Sequence, residues 1–245
     1  MELKVDHSAS GHIVYDADII QQPDAGLFQP KYWFDQGAVR KTARGRGTAF
    51  MLDAPQGPWV LRVYRRGGWV ASLSKDHYFF TGYASSRSIA ETRMLAKMAK
   101  MNLPVPQPIA GICWKRGLFY RAALLTREIT ESVPLADRLN DMPSTHPGWQ
   151  RIGSCIRRFH DAGVVHSDLN ARNILLAESW DSPVPVHLID FDKSFFRLNS
   201  HRLFQSNLKR LLRSLKKHWP KTNLNELGPC WDQLLKGYRV QTEID

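Results

Sequence analysis

Cysteine is scarce: three residues in 245, Cys113, Cys155 and Cys230, lie too far apart for a disulfide framework or a paired-thiolate metal site. That spacing suits a chain kept in a reducing compartment. No apolar run approaches the roughly 18 residues that a spanning helix needs, which excludes one. The opening stretch, MELKVDHSASGHIVYDADII, holds no apolar segment of signal-peptide length, so no secretion leader is expected. There is no internal repeat and no low-complexity tract. Acidic residues are also few, 23 Asp and Glu against 34 Lys and Arg, for a formal charge of +11. Such a balance implies attraction to something anionic, whether nucleotide, nucleic acid or the acidic face of a membrane, or else only a basic soluble surface.

Against these absences, 43% of the residues are hydrophobic and 23% charged, enough to bury a core in one large domain or two small lobes. Residues 48–52 and 59–64 read as strands around the turn-like DAPQGP. In SIAETRMLAKMAKM, the residues Ala90, Met94, Leu95, Met98 and Met101 recur at helical spacing, and the prolines of NLPVPQPIAG end that helix. Residues 118–125 read as a strand and TREI, 126–129, as a connector. A helix is expected over 150–162 with Ile152, Cys155, Ile156 and Phe159 on one face, then short buried strands at 174–176 and 186–189. Residues 203–219 form a basic amphipathic helix: Phe204, Leu208, Leu211, Leu212 and Leu215 on one side, Lys209, Arg210, Arg213, Lys216 and Lys217 roughly opposite. A mostly β part, residues 1–127, therefore precedes a mostly helical part, residues 128–245.

Chemistry concentrates in a few stretches. The turn Gly45-Arg46-Gly47 lets backbone N–H groups approach phosphate because glycine has no side chain in the way, although a plain hairpin turn has the same composition. HSDLNARN places Asp168 and Asn173 five positions apart in a loop after a helix, and Asp190 ends an apolar run 22 residues after Asp168. Phosphoryl transfer needs these types: one carboxylate to orient the attacking hydroxyl and accept its proton, and oxygen ligands for Mg²⁺. Asp168 fits the first role, Asn173 and Asp190 the second. Asp and Asn are also ordinary turn and cap residues.

The pattern HxDxxxxN followed by an apolar run and DF resembles the protein-kinase-like superfamily. More closely, GRGTAF, VLRVYRRGGW, FHDAGVVHSDLNARNILL and LIDFDKS resemble the lipopolysaccharide core kinases of Gram-negative bacteria, over roughly residues 44–220. The resemblance implies a two-lobed α+β fold, with a small β-rich N-lobe and a shortened helical C-lobe. It implies ATP and Mg²⁺ as cofactors, Asp168 as the base, and Asn173 and Asp190 as metal ligands. It further implies Gly45, Arg46 and Gly47 over the phosphates and Arg62 gripping them in place of the usual strand lysine. Glu91 would be the ion-pair partner of Arg62, and the segment holding Glu128 the adenine-binding hinge. The implied acceptor is a hydroxyl, by resemblance the 4-hydroxyl, of 3-deoxy-D-manno-octulosonic acid (Kdo) on a lipid A precursor. The implied place of work is the cytoplasmic face of the inner membrane, as a peripheral protein on an anionic surface, with no nucleic acid and no obligate protein partner.

Departures from the family pattern are informative. Arginine for lysine changes donor geometry and bulk. Arg65 falls on the opposite face of the strand from Arg62. Asp192 stands where glycine is usual, as a further metal contact or a surface charge. Ser167 follows His166 where arginine is usual, which removes the anchor of a phosphorylated activation loop. Asn170 stands where protein kinases carry lysine, and only 55 residues follow Asp190, with no APE triplet among them. Both points favour a sugar hydroxyl over a protein side chain. The segment 64–80, YRRGGWVASLSKDHYFF, is suited to acidic sugars, to a lipid interface, or to packing alone. Rival readings are a heptose kinase, a protein kinase, and a non-catalytic basic module that binds membrane or nucleic acid.

Overall fold

β1 (Leu3–Ser8) and β2 (Gly11–Asp16) open the chain as an antiparallel hairpin, in a region to which the sequence pattern assigns no element. The computed structural model describes residues 1–8, 11–44, 48–64, 78–179, 185–220 and 225–240. The candidate phosphate turn, residues 45–47, and most of the segment 64–80 lie outside the described residues.

A single antiparallel sheet continues from that hairpin. Its strands are β3 (Val39–Arg44), β4 (Thr48–Ala54), β5 (Gly57–Val63), β6 (Tyr78–Phe79), β7 (Pro108–Arg116) and β8 (Phe119–Arg127), in the order β1-β2-β7-β8-β5-β4-β3 with β6 on β8. Alternation explains the inner face: Phe50 pairs with Leu61 and Leu52 with Trp59, and all four are buried. The short helix α1 (Pro30–Asp35) closes this core with Trp33, whose ring meets Trp59 edge-on at 6.0 Å and whose indole N–H bonds the Leu27 carbonyl at 2.8 Å. Thr126 and Arg127, expected in a connector, belong to β8, because they extend its ladders with β7 and β5.

Helix α2 (Arg87–Lys100) packs on the sheet through Gly111 of β7, where an added Cβ would stand 2.9 Å from the Ser88 carbonyl oxygen. The Ser88 hydroxyl bonds the Ile112 carbonyl at 2.6 Å, fixing the helix along its axis. Met94, Leu95 and Met98 are buried as their spacing predicts, but Ala90 and Met101 are exposed; the buried stripe runs instead through Ile89, Glu91 and Thr92.

The second unit holds β9 (Ser132–Pro134), α3 (Leu135–Arg138), α4 (Gly148–Asp161), β10 (Val164–Val165), β11 (Ile174–Ala177), β12 (His187–Leu188), β13 (Phe195–Phe196), α5 (His201–His218) and α6 (Leu227–Arg239). Ile152, Cys155, Ile156 and Phe159 of α4 are all buried, as expected. The unexpected α6 lies directly on α4. A Cβ on Gly153 would come 2.0 Å from the Leu234 carbonyl oxygen, and one on Gly237 2.1 Å from that of Gln150, so the backbones approach as only glycine allows. The three cysteines are free and buried, and burial pushes the Cys155 thiol up to about 12. No described helix is long and apolar enough to cross a membrane.

By contacts, the two units are residues 1–97 with 106–130, and residues 98–105 with 131–245. This differs from a single division after residue 127. Residues 98–105 join the second unit because the Asn102 carbonyl accepts from Arg158 at 2.8 Å and the Pro104 carbonyl from the Leu188 N–H at 3.1 Å.

Candidate active site

In the first unit, strand alternation sends Arg62 and Tyr64 of the β5 segment to the same side, where α2 presents Glu91. The Arg62 guanidinium donates to the Glu91 carboxylate through a short ion pair and to the Tyr64 hydroxyl at 2.8 Å. Tyr64 in turn donates to the same Glu91 oxygen at 2.6 Å. Glu91 is only 4% exposed, so its charge is offset locally rather than by water. Burial, and secondarily Glu91, hold the Tyr64 phenol well above its usual value, keeping it a donor. The sequence pairing of Arg62 with Glu91 is thus present in space, 29 residues apart in the chain. Tyr64 was missed, although its i+2 position from Arg62 was the available signal.

Glu128 has its N–H on the Pro58 carbonyl at 2.9 Å, and its carboxylate meets Arg40 at 2.6 Å. Its side chain and N–H are therefore engaged within the sheet.

In the second unit, the loop after β10 carries the other candidates. His166 is 3% exposed; its Nδ1 accepts the Asp168 N–H at 3.1 Å, which makes its Nε2 the donor to the Ile189 carbonyl at 3.0 Å. Burial drives its pKa down, so a neutral imidazole bridges the loop of Asp168 to the chain just before Asp190. Phe191, 1% exposed, stacks on Phe159 at 5.7 Å between ring centroids and lies tilted against His166 at 4.7 Å. Asp190 itself takes φ 64°, turning the chain sharply after β12.

Asn173 and Asp190 come together through a ladder. β11 pairs with β12, Ile174 opposite Leu188, and the Asn173 carbonyl accepts the Ile189 N–H at 3.0 Å. Asn173 and the residue before Asp190 therefore close one end of the same two strands. The Asn173 amide N donates to the Asp168 carbonyl at 2.9 Å, which commits its nitrogen and presents its oxygen as the available ligand atom. Asn170 donates to the same carbonyl at 3.0 Å and accepts the Arg172 N–H at 2.8 Å, so its side chain is spent inside the loop. Ser167, in the place of arginine, donates to the Asp192 carbonyl and binds the Ser194 hydroxyl through its N–H at 3.0 Å.

Helix α5 supplies the part that the sequence did not reveal. Asn207, Arg210 and Ser214 stand at i, i+3 and i+7 on one face. Asn207 accepts the His166 N–H at 3.0 Å and donates to the His166 carbonyl at 2.8 Å. Arg210 donates to Asp168 Oδ1 at 3.0 Å, and the Ser214 hydroxyl accepts the Ala171 N–H at 3.1 Å. The amphipathic pattern of α5 is as expected, with Phe204, Leu208, Leu211 and Leu215 buried, although Leu212 is only partly so. Its polar stripe was unreadable because its partners lie about 40 residues away in the chain.

What this arrangement can do is hold a carboxylate, a carboxamide oxygen and a second acid at fixed stations in one unit, and a buried cation-acid pair in the other. The class follows from the backbone. The chain matches a solved structure described as WaaP in complex with acyl carrier protein, with a TM-score of 0.54 and 13% identity over 82% of this chain and 80% of that one. This is an α+β, protein-kinase-like fold. The chain belongs to the lipopolysaccharide kinase (Kdo/WaaP) family, whose model matches residues 30–238. It is 40% identical over 230 residues to a 3-deoxy-D-manno-octulosonic acid kinase of Xanthomonas campestris pv. campestris, covering 94% of this chain and 90% of that one. Its identity to the like-named protein of Xanthomonas euvesicatoria pv. vesicatoria is 43% over the same shares. With that of Stenotrophomonas maltophilia it is 40%, covering 93% of this chain and 89% of that one. The chain is an ATP-dependent phosphotransferase of that family.

Proposed function

We propose that this kinase transfers the γ-phosphoryl group of ATP to a hydroxyl of Kdo on a lipid A precursor, the 4-hydroxyl by family resemblance. The observation that carries this reading is the loop in which Asp168, Asn173 and the approach to Asp190 are locked together, in a chain 40% identical over 94% of its length to proteins named for that acceptor. Asp168 orients the acceptor hydroxyl and takes its proton as the new O–P bond forms and the bond to ADP breaks. A carboxylate offers about four acceptor positions, so the contact with Arg210 does not exhaust it. Arg62, fixed by Glu91 and Tyr64, grips the nucleotide phosphates.

The donor set suits a hard divalent ion. Asn173 would offer an amide oxygen whose nitrogen is already committed and Asp190 a carboxylate, hard oxygen donors of the kind that Mg²⁺ prefers. When bound, Mg²⁺ neutralises charge on the transferring phosphate. Asn173 and Asp190 are the residues that would hold it. The exposed basic side of α5, including Lys209, Arg213, Lys216 and Lys217, supports peripheral docking on the anionic cytoplasmic face of the inner membrane, each cation adding about 1 kcal/mol near such a surface.

The test is incubation with labelled ATP, Mg²⁺ and a Kdo–lipid A precursor, with lipid and protein products resolved. Label in the lipid supports the reading. Label only in protein, or only in a heptose-bearing acceptor, refutes it.

A further inference from the structure

We propose that Arg210 recognises the carboxylate of the acceptor sugar while holding Asp168, and is therefore a specificity-determining residue of the transfer. The inference rests on the acceptor being Kdo, an acid by name.

Three residues of α5 reach the catalytic loop, and two of them only support backbone. Asn207 holds both polar groups of His166, and Ser214 caps the Ala171 N–H. Arg210 alone of the three meets the side chain proposed to handle the attacking hydroxyl, at 3.0 Å from Asp168 Oδ1. Positioning of the loop is already secured by its neighbours on either side, and by the amides of Asn170 and Asn173 on the Asp168 carbonyl. A guanidinium is not needed for that task.

Electrostatics supplies a task. An acceptor that carries a carboxylate on the same sugar ring as the hydroxyl to be phosphorylated brings a second negative charge towards Asp168. Two like charges a few ångströms apart repel strongly where water is partly excluded. A cation shared between them turns that repulsion into a bridge. Arg210 has the form for it: a planar fork of five N–H donors, of which one nitrogen is placed on Asp168, leaving other donors for a second carboxylate. Its side chain is 44% exposed and that of Asp168 24%, so a solute can reach the pair. The surroundings favour an anion as well. Between Lys193 and Asn225 there are nine Lys or Arg and no Asp or Glu, and Arg213 and Lys217 continue the exposed row along α5.

The experiment compares wild type, Arg210→Ala and Arg210→Lys on two acceptors, the native Kdo–lipid A precursor and the same molecule with its Kdo carboxyl reduced to an alcohol. Steady-state kcat/KM is measured for each pair, with the KM for ATP as a readout of the nucleotide site. Wild type should lose about 100-fold or more on the reduced acceptor, Arg210→Ala a similar factor on the native one, and the two losses should not multiply when combined. Arg210→Lys, a point charge without the fork, should recover part of the native activity and keep the discrimination between acceptors. The KM for ATP should stay within about threefold. Losses that multiply, or a wild type indifferent to the carboxyl group, would overturn the role of Arg210 while leaving the Kdo kinase intact. Should Arg210→Ala not fold, the lysine variant on both acceptors decides the same question. No transfer by wild type to the native acceptor would instead sink the reading of the acceptor and this inference with it.

Discussion

Replacing Asn207 with alanine should cripple the kinase from a position that touches neither substrate. Asn207 is 5% exposed on α5 and makes two bonds to the backbone of His166, accepting its N–H at 3.0 Å and donating to its carbonyl at 2.8 Å. Its oxygen also lies 3.4 Å from His160 Nε2. Asn207→Ala removes both partners from a residue that is itself 3% exposed. Each buried backbone group left unpaired costs about 1–3 kcal/mol, so the loss of stability from the two should be about 2–6 kcal/mol. A water drawn into the vacated space would bring it to the lower end of that range. Domains are commonly stable by only about 5–15 kcal/mol, so the variant sits near the margin. Catalysis should suffer separately: His166 ties Asp168 to the chain before Asp190, and a shift of the loop by an ångström costs about 100-fold in kcat. Urea unfolding followed by circular dichroism measures the first quantity, and phosphate transfer at a temperature where the variant is folded measures the second. Gln205→Ala, at an exposed position of the same helix, serves as control and should stay within about 0.5 kcal/mol. If Asn207→Ala matched that control in both assays, the clamp from α5 to the loop of Asp168 would be refuted.

Asp168→Ala should abolish transfer while leaving the fold and ATP binding largely intact, and turnover retained in that variant would remove Asp168 from the chemistry. Glu91→Ala strands Arg62 and the Tyr64 hydroxyl at a buried site; a loss of about 3–5 kcal/mol and a raised KM for ATP are expected, read by thermal unfolding and by ATP titration. Burial holds His160 down at about 4 against 6.5 in the unfolded chain, so the unfolded chain binds the proton first as pH falls. The stability contributed by neutral His160 is complete above about pH 6.5 and is lost towards pH 4, by up to about 3 kcal/mol; His160→Gln should flatten urea midpoints over that window. Gly153→Ala drives a methyl into the backbone of α6 and should lower the urea midpoint by the equivalent of about 1–3 kcal/mol or more, whereas alanine at Gly228, which meets nothing, should not.

Local pattern was enough for several parts of this molecule. The period of two over 48–63 announced β4 and β5, because one face of that hairpin is buried and the other is not. The helical period of 150–162 announced α4 for the same reason, and α5 showed its apolar side plainly. The order of Arg62, Glu91, Asp168, Asn173 and Asp190 along the chain was legible too, since residue types at fixed spacing need no coordinates to be seen. Some elements left no such trace. β1 and β2 precede any clear period, and α6 is marked by glycine and a proline that read locally as breakers; they form because the sheet and α4 offer faces to cover. The exposures of Ala90 and Met101 likewise depend on which side of α2 meets the sheet, which periodicity alone does not choose.

By itself, the sequence determined the class of chemistry, the residues available for it and the elements whose burial is one-sided. Only the tertiary structure decided what holds those residues in place. Tyr64 joins Arg62 and Glu91, His166 bridges Asp168 to the approach to Asp190, and Asn207, Arg210 and Ser214 reach the loop of Asp168 from α5. The physical reason is separation. A hydrogen bond between residues 2 or 4 apart leaves a spacing that can be read in the chain, but one between residues about 40 apart leaves none until packing brings the helix and the loop within 3 Å of each other.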